Sequence, residues 1–242
     1  MKQYEAVILT LERLGGQATL GELDIEVMKI KECQWKTKTP YASIRRIVQE
    51  RPEIFKVRPG LWALRMYQEK LGLSEYDPKK PLNEIEANKT HSYYQGLLAQ
   101  IGNLRKYETF IPNQDKNKMC GNKHLFDIRT LKAVPAFGYA QFVKRISSVD
   151  VIWFNSRNMP SHLFEVEHAT DFQNSLLKFY ELQDFNLQMV IVSSEVRKHE
   201  FEHKLNLKAI SDIAKRVHFL GYEVLVRQFE EEVFKSLQTF VV

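Results

Sequence analysis

The chain has 242 residues, enough for one large or two small domains. Hydrophobic residues at 44% and aromatic residues at 12% can fill real cores, and 27% charged residues is ordinary for a soluble protein. The formal net charge of +5 suits a polyanionic partner without requiring one. Cys33 and Cys120 lie too far apart for a CxxC pair and are too few for a disulfide framework, so they read as reduced thiols of a cytoplasmic protein. Glu5 and Glu12 interrupt the first apolar run, which argues against a signal peptide, and no run is long and apolar enough to span a bilayer. No membrane association is expected.

The first 66 residues form a compact pattern. Val7, Leu11 and Leu14 share a helical face, ended by Gly15-Gly16. Thr19 and Glu22 make a capping box for a second helix. Thr39 reads as the N-cap and Pro40 as the first residue of a third helix, with Ile44, Ile47 and Val48 buried and Pro52 as the stop. "IFKVRPGLWAL" then reads as strand, Pro59-Gly60 turn, strand. Three helices followed by a hairpin is the order of a winged helix.

"GGQATLGEL", "TPYASIRRIVQERPEIFKV" and "RPGLWAL" resemble the HARE-type helix-turn-helix, a winged-helix module. The resemblance covers about the first quarter of the chain and implies a DNA-associated role. In that family the module is often fused to enzymes acting on DNA, restriction enzymes among them, and recognition of modified bases has been suggested for it. The residues agree with a reader of double-stranded DNA. Tyr41, Ser43, Arg45 and Arg46 sit off the apolar face of the third helix. Lys36 and Lys38 precede that helix, and its N-terminus at Thr39 can hold a phosphate. Lys56 and Arg58 fall on the wing. The alternative is a solvated basic face on a protein-interaction module.

Residues 67–90, polar and carrying Pro78 and Pro81, read as a linker. Residues 91–242 alternate between helix and strand signals. A helix capped by Thr90 or Ser92 carries Tyr94, Leu97, Leu98 and Ile101 on one side. "ETFIP" is a short strand, and 113–123 is a polar loop. Val149–Phe154 and His162–His168 form a hairpin across "NSRNMPS". A helix follows, capped by Thr170 or Asp171, with Leu176, Leu177 and Tyr180 inward. "LQMVIVSS" is a buried strand, the stretch from Arg197 to Gly221 a long helix, "YEVLVRQF" a final strand, and the C-terminus an amphipathic helix. The pattern is an α/β domain with a mixed sheet flanked by helices.

The unusual stretch is "LFEVEH", residues 163–168. On a strand, Glu165 and Glu167 share one face, their Cα atoms about 7 Å apart. Asp150, on the partner strand of the hairpin, can lie beside Glu165. Three converging carboxylates raise one another's pKa and weaken the fold unless a cation is present. A hard divalent ion such as Mg2+ is the usual remedy, and its bound water is acidic enough to attack phosphorus. The other possibility is an ordinary polar face on a half-exposed antiparallel strand.

The acids in this hairpin resemble the motif of the PD-(D/E)xK nuclease superfamily, whose core is an αβββαβ unit. Asp150 matches the first acid, Glu165 the second, and Glu167 stands where lysine is usual. Some type II restriction enzymes carry ExE there and are active. The resemblance covers roughly residues 91–226. It implies that Asp150, Glu165 and the carbonyl of Val166 bind Mg2+, and that Glu167 orients or deprotonates the attacking water or helps to hold a second ion. Lys178 is expected to face solvent, the alternative being that it supplies the missing cation. His168 is expected to be structural. An extra acid from the preceding helix has no clear match, with Gln95 and Glu108 nearest.

No GxxxxGK[ST], GxGxxG or GxSxG motif is present. His199 and His203, four apart on a helix, lack a third ligand and read as surface residues. The expectation is a winged helix at 1–66, a linker at 67–90 and a restriction-endonuclease-like domain at 91–242. Together they would make a Mg2+-dependent DNA endonuclease of the restriction type. A homodimer would suit the cutting of two strands. The rivals are an inactive DNA-binding or regulatory protein and a structure-specific repair nuclease.

Overall fold

The computed structural model describes residues 1–37, 39–77, 84–168 and 170–238. The chain divides into two compact units, one of Met1–Pro81 with Glu230–Val242 and one of Leu82–Phe229.

In the first unit, α1 (Gln3–Arg13) ends where Gly16, at φ 94°, donates its amide to the Leu11 carbonyl at 2.8 Å. A Cβ on Gly16 would meet Tyr67 Cγ at 2.3 Å, so only glycine fits this turn. A short strand that the sequence pattern does not announce, β1 (Gln17–Thr19), leads into α2 (Leu20–Glu26). The capping box forms as expected: the Glu22 amide donates to Thr19 Oγ1 at 3.1 Å and Glu22 Oε2 accepts the Thr19 amide at 2.8 Å. α3 (Pro40–Glu50) buries Ile44, Ile47 and Val48. Thr39 sits at the N-cap, but its hydroxyl meets Thr37 Oγ1 at 3.3 Å and does not cap the helix. β2 (Ile54–Arg58) and β3 (Leu61–Leu64) make the expected hairpin, and α4 (Gln68–Leu71) follows. The sheet order is β1-β3-β2, all antiparallel. Val7, Leu11, Leu23, Ile44, Val48 and Leu64 fill its core. Each such side chain contributes about 1.5–3 kcal/mol by leaving water.

The second unit opens with α5 (Glu84–Leu104). This helix begins inside the stretch expected to be a linker, so Thr90 and Ser92 are interior to it rather than caps. The Thr90 hydroxyl donates to the Glu86 carbonyl at 2.6 Å and that of Ser92 to the Met119 carbonyl at 2.7 Å. Then come β4 (Glu108–Phe110), the small hairpin β5 (Met119–Cys120) and β6 (Lys123–His124), α6 (Leu125–Ile128) and α7 (Ala140–Ile146). The acidic hairpin is β7 (Val151–Phe154) and β8 (Pro160–Glu167), followed by α8 (Gln173–Tyr180) and β9 (Gln188–Ser193). α9 (Lys198–Leu205), β10 (Val217–Gly221) and α10 (Tyr222–Gln238) complete the order.

The sheet runs β10-β9-β8-β7-β4. β8 pairs parallel with β9 and antiparallel with β7, and β10 pairs parallel with β9. The unit is therefore mixed α/β, a five-stranded mixed sheet with helices against it. One face packs Ile152, Phe154, Leu163 and Ile191 against Phe172, Leu176 and Phe179 of the α8 segment. α5 packs on β7 and β8, with Tyr93, Tyr94, Leu97 and Leu98 buried. Its approach is close at Gly102, where a Cβ would meet Thr109 Cγ2 at 2.6 Å and Trp153 Nε1 at 2.7 Å.

Three sequence expectations change here. The helix from Arg197 stops at Leu205, and Val217–Gly221 is a strand, pairing residue by residue with Met189–Ser193. Tyr222–Phe229 is helix and not strand: Tyr222, Leu225, Val226, Phe229 and Val233 are buried at helical spacing. In α8, Leu177 is exposed and Phe179 takes the inward place. Asp171 does help at the start of α8, its Oδ1 accepting the Gln173 amide at 3.0 Å.

Candidate active site

The hairpin sets the site. Val151 lies opposite Phe164, so the next position outward puts Asp150 beside Glu165. Asp150 Oδ2 accepts the Val166 amide at 2.8 Å, which ties the entrance of β7 to β8. In an extended strand the N–H and C=O of one residue leave on the same side. The Val166 carbonyl therefore leaves on the Asp150 side. The Glu167 carbonyl leaves on the other, where Ser193 Oγ reaches it at 2.5 Å and Tyr222 Oη at 3.2 Å.

Glu165 and Glu167 are 2% and 7% exposed, too buried to be the polar face of a wet sheet. Buried carboxylates of this kind must be paired. Lys178 does this for Glu165, its Nζ lying 2.9 Å from both carboxylate oxygens and 3.1 Å from the Ser148 carbonyl. The expectation that Lys178 faces solvent is thus corrected: α8 packs over β8, and Lys178 follows Ser175 by one turn on the covered side. Ser175 Oγ donates to Glu167 and lies 3.1 Å from Glu165 Oε2, and the Thr170 hydroxyl donates to Glu167 as well.

The electrostatics separate the two strand acids. Burial, then the negative charge of Asp150, pushes the Glu165 carboxyl above the usual carboxylate range, with Lys178 opposing. Burial also disfavours ionised Asp150, but the hydrogen bond and charge of His91, the Val166 amide and Lys178 hold it below the usual range. His91 responds in kind: burial works against its cation, Asp150 outweighs burial, and the imidazole pKa is raised.

Two residues at this site carry no local sequence signal. His91 of α5 places Nε2 3.3 Å from Asp150 Oδ1. Asp115, from the loop after β4, is buried and bonded by Lys118 Nζ at 2.7 Å and by Gln95 Nε2 at 3.0 Å. Gln95, one of the two nearest matches to an acid on the preceding helix, reaches the cluster and also lies 3.4 Å from the Asp150 carbonyl. Glu108, the other, is exposed on β4. The His168 ring packs near Tyr94 and Tyr222 and its Nδ1 meets the Tyr222 hydroxyl. His199 and His203 are exposed.

The candidate DNA residues all belong to the first unit except Lys38, which lies outside the described residues. Arg46 is exposed, 3.9 Å from Glu50 across one helical turn. Thr39 is exposed and Ser43 partly so. Arg45 is ion-paired to Glu230, and the Tyr41 ring meets Phe234 edge-on at 5.5 Å, so α10 occupies part of this helix face. Lys56 lies over the Tyr76 ring at 4.9 Å. Arg58, expected on an open wing, is buried at 8% exposure, at the end of a strand whose register is irregular between Lys56 and Arg58.

Among the described residues, no helix is long and apolar enough to cross a membrane. A mixed α/β unit with acids gathered on the middle hairpin of its sheet is the class defined so far. Residues 73–241 match the family described as the type II restriction enzyme NmeDI C-terminal domain, and the chain belongs to that restriction-enzyme family. It is 24% identical over 142 residues to the type II restriction enzyme NmeDI of Neisseria meningitidis serogroup C. That match covers 54% of this chain and 40% of the relative, so the chain spans less than half of the relative's length. No solved structure matches the chain.

Proposed function

We propose that the protein is a Mg2+-dependent endonuclease that hydrolyses phosphodiester bonds in double-stranded DNA, as a type II-like restriction enzyme. The observation that carries this reading is the buried set Asp150, Glu165 and Glu167 on the central hairpin, with Lys178 against Glu165. Support also comes from the family match and from the order α5-β4-β7-β8-α8-β9, which agrees with the αβββαβ core of PD-(D/E)xK nucleases. In this reading the first unit is a winged helix that reads DNA, the protein is cytoplasmic, and a homodimer cuts both strands.

The donor set fits the ion. Asp150, Glu165 and the Val166 carbonyl offer hard oxygen donors on one side of β8, the chemistry that Mg2+ takes. These three would hold it. Bound there, Mg2+ supplies an acidic water and charge neutralisation at the phosphate. The protein's own groups do the rest. The Val166 amide fixes the Asp150 carboxylate. Ser175 and Thr170 hold the Glu167 carboxylate, whose oxygens can take a proton from the attacking water. Lys178 brings to Glu165 the positive charge that the motif's lysine carries in relatives, from a helix rather than from the strand.

Glu167 in place of lysine is what favours the rival, a DNA-binding protein without activity. The test is cleavage of long duplex DNA, unmodified and base-modified, with Mg2+ or with EDTA, beside Glu165→Ala. Discrete fragments that require both Mg2+ and Glu165 are expected, with DNA binding retained in the variant. A gel shift without cleavage in any lane would support the rival. Cleavage confined to branched or flapped substrates would support a repair nuclease.

A further inference from the structure

We infer that His91, Asp115 and Asp150 form a second divalent-cation site, whose mixed nitrogen and oxygen donors take a first-row transition ion such as Mn2+. One ligand atom from each residue lies within 4.8 Å of the others. An ion with bonds of about 2.1 Å needs its donors about 3–4.2 Å apart, so the cluster is within a small side-chain rotation of that arrangement. The His91–Asp150 separation of 3.3 Å already falls inside it. The three residues come from α5, from the loop after β4 and from the entrance of β7, so the fold and not a local motif gathers them.

A second observation points to a ligand. Gln95 is fully buried, and its Nε2 reaches Asp115 Oδ2 and the Asp150 carbonyl. Its Oε1 is buried with no hydrogen-bond partner among the described residues. A carboxamide thus brings one more acceptor oxygen to a group already rich in acceptors. Exchanging its two ends would aim the oxygen at Asp115 Oδ2, the carboxylate oxygen that Lys118 does not hold. An ion, or a water in its shell, satisfies that oxygen either way. The imidazole biases the choice of metal, because Mg2+ prefers an all-oxygen shell while Mn2+, Co2+ and Zn2+ accept nitrogen. Asp150 has the geometry to be shared, with Oδ1 toward His91 and Oδ2 at the Val166 amide.

The inference deepens the nuclease reading by sharing Asp150, yet its test does not depend on cleavage. Mn2+ binding to the metal-stripped full chain is counted by loss of the free-ion electron paramagnetic resonance signal. Two ions per chain are expected for the wild type. One is expected for His91→Ala, for Asp115→Asn and for Glu165→Gln, and none for His91→Ala combined with Glu165→Gln. Gln95→Leu should keep two ions, with one bound about tenfold more weakly. Pulsed resonance on wild type should show nitrogen modulation from one imidazole, a reading that needs no variant to fold. Two ions in both His91→Ala and Asp115→Asn, or no nitrogen modulation in the wild type, would overturn the site. Two bound ions without cleavage of any duplex would overturn the nuclease reading and leave this site standing. Glu165-dependent cleavage with a single bound ion would do the reverse.

Discussion

Lys178 Nζ sits 2.9 Å from both carboxylate oxygens of Glu165, one of the most deeply buried acids in the chain. The pair joins α8 to β8 and leaves Glu165 dependent on a cation for its charge.

The first prediction removes that cation. Lys178→Met keeps the length of the side chain and strands the carboxylate. Loss of one partner from a buried pair costs about 3–5 kcal/mol, so the melting temperature should fall. Cleavage should drop by roughly 100-fold or more if Lys178 acts in proton transfer or charge stabilisation. Mg2+ should restore part of the lost stability, because it would meet the same carboxylate. A melting curve of Lys178→Met that is indifferent to Mg2+ would argue against a metal at Glu165.

A second prediction separates two arginines that look alike in sequence. Arg46 is exposed on α3 and Arg58 is buried at the end of β2. Arg46→Ala should leave stability within about 0.5 kcal/mol of wild type. It should weaken DNA binding and lower the salt slope by about one phosphate contact. Arg58→Ala should cost roughly 1–3 kcal/mol of stability, with any binding defect following from unfolding. Titrations at several salt concentrations, beside thermal melts, distinguish them. Unchanged binding by Arg46→Ala would remove α3 as the DNA reader.

The third prediction concerns pH. Burial first, and the negative charge of Glu230 second, push the Asp24 carboxyl up to about 7, while Arg45 opposes. Folding therefore favours the protonated form. The stability this gives is complete below the ordinary aspartate value of 3.8 and is lost as pH rises through about 7. Asp24→Asn cannot ionise. It should match the wild type near pH 4 and exceed it by on the order of 2 kcal/mol at pH 8, after allowance for solvent screening. Parallel wild-type and variant melts across that range would refute the assignment.

Much of this architecture can be read from the sequence because it is local. The Thr19–Glu22 capping box, the Pro59-Gly60 turn and the hairpin that brings Asp150 to Glu165 each lie within a few residues or one turn of chain. What escapes is tertiary or ambiguous in period. Nothing near His91 or Asp115 marks them: one sits in a helix that starts earlier than its polar residues suggest, the other in "NQDKNK", which reads as solvated loop. Lys178 looks like any helix lysine until α8 is laid on β8. The boundary at Gly221 is lost because "VHFLGYEVLV" is a short apolar run that suits either period. Pairing of Val217–Gly221 with β9 settles it as strand.

The amide of Val166 is bonded to a carboxylate side chain and not to the backbone of the neighbouring strand. Its proton is therefore wired to the charge on Asp150. When that carboxylate is neutralised, or shares its electrons with a cation, the hydrogen bond weakens and the amide resonance moves upfield. In a nitrogen-15-labelled sample a single cross-peak, in the middle of the sheet and far from any tag, keeps a continuous record of what is bound at the candidate active site.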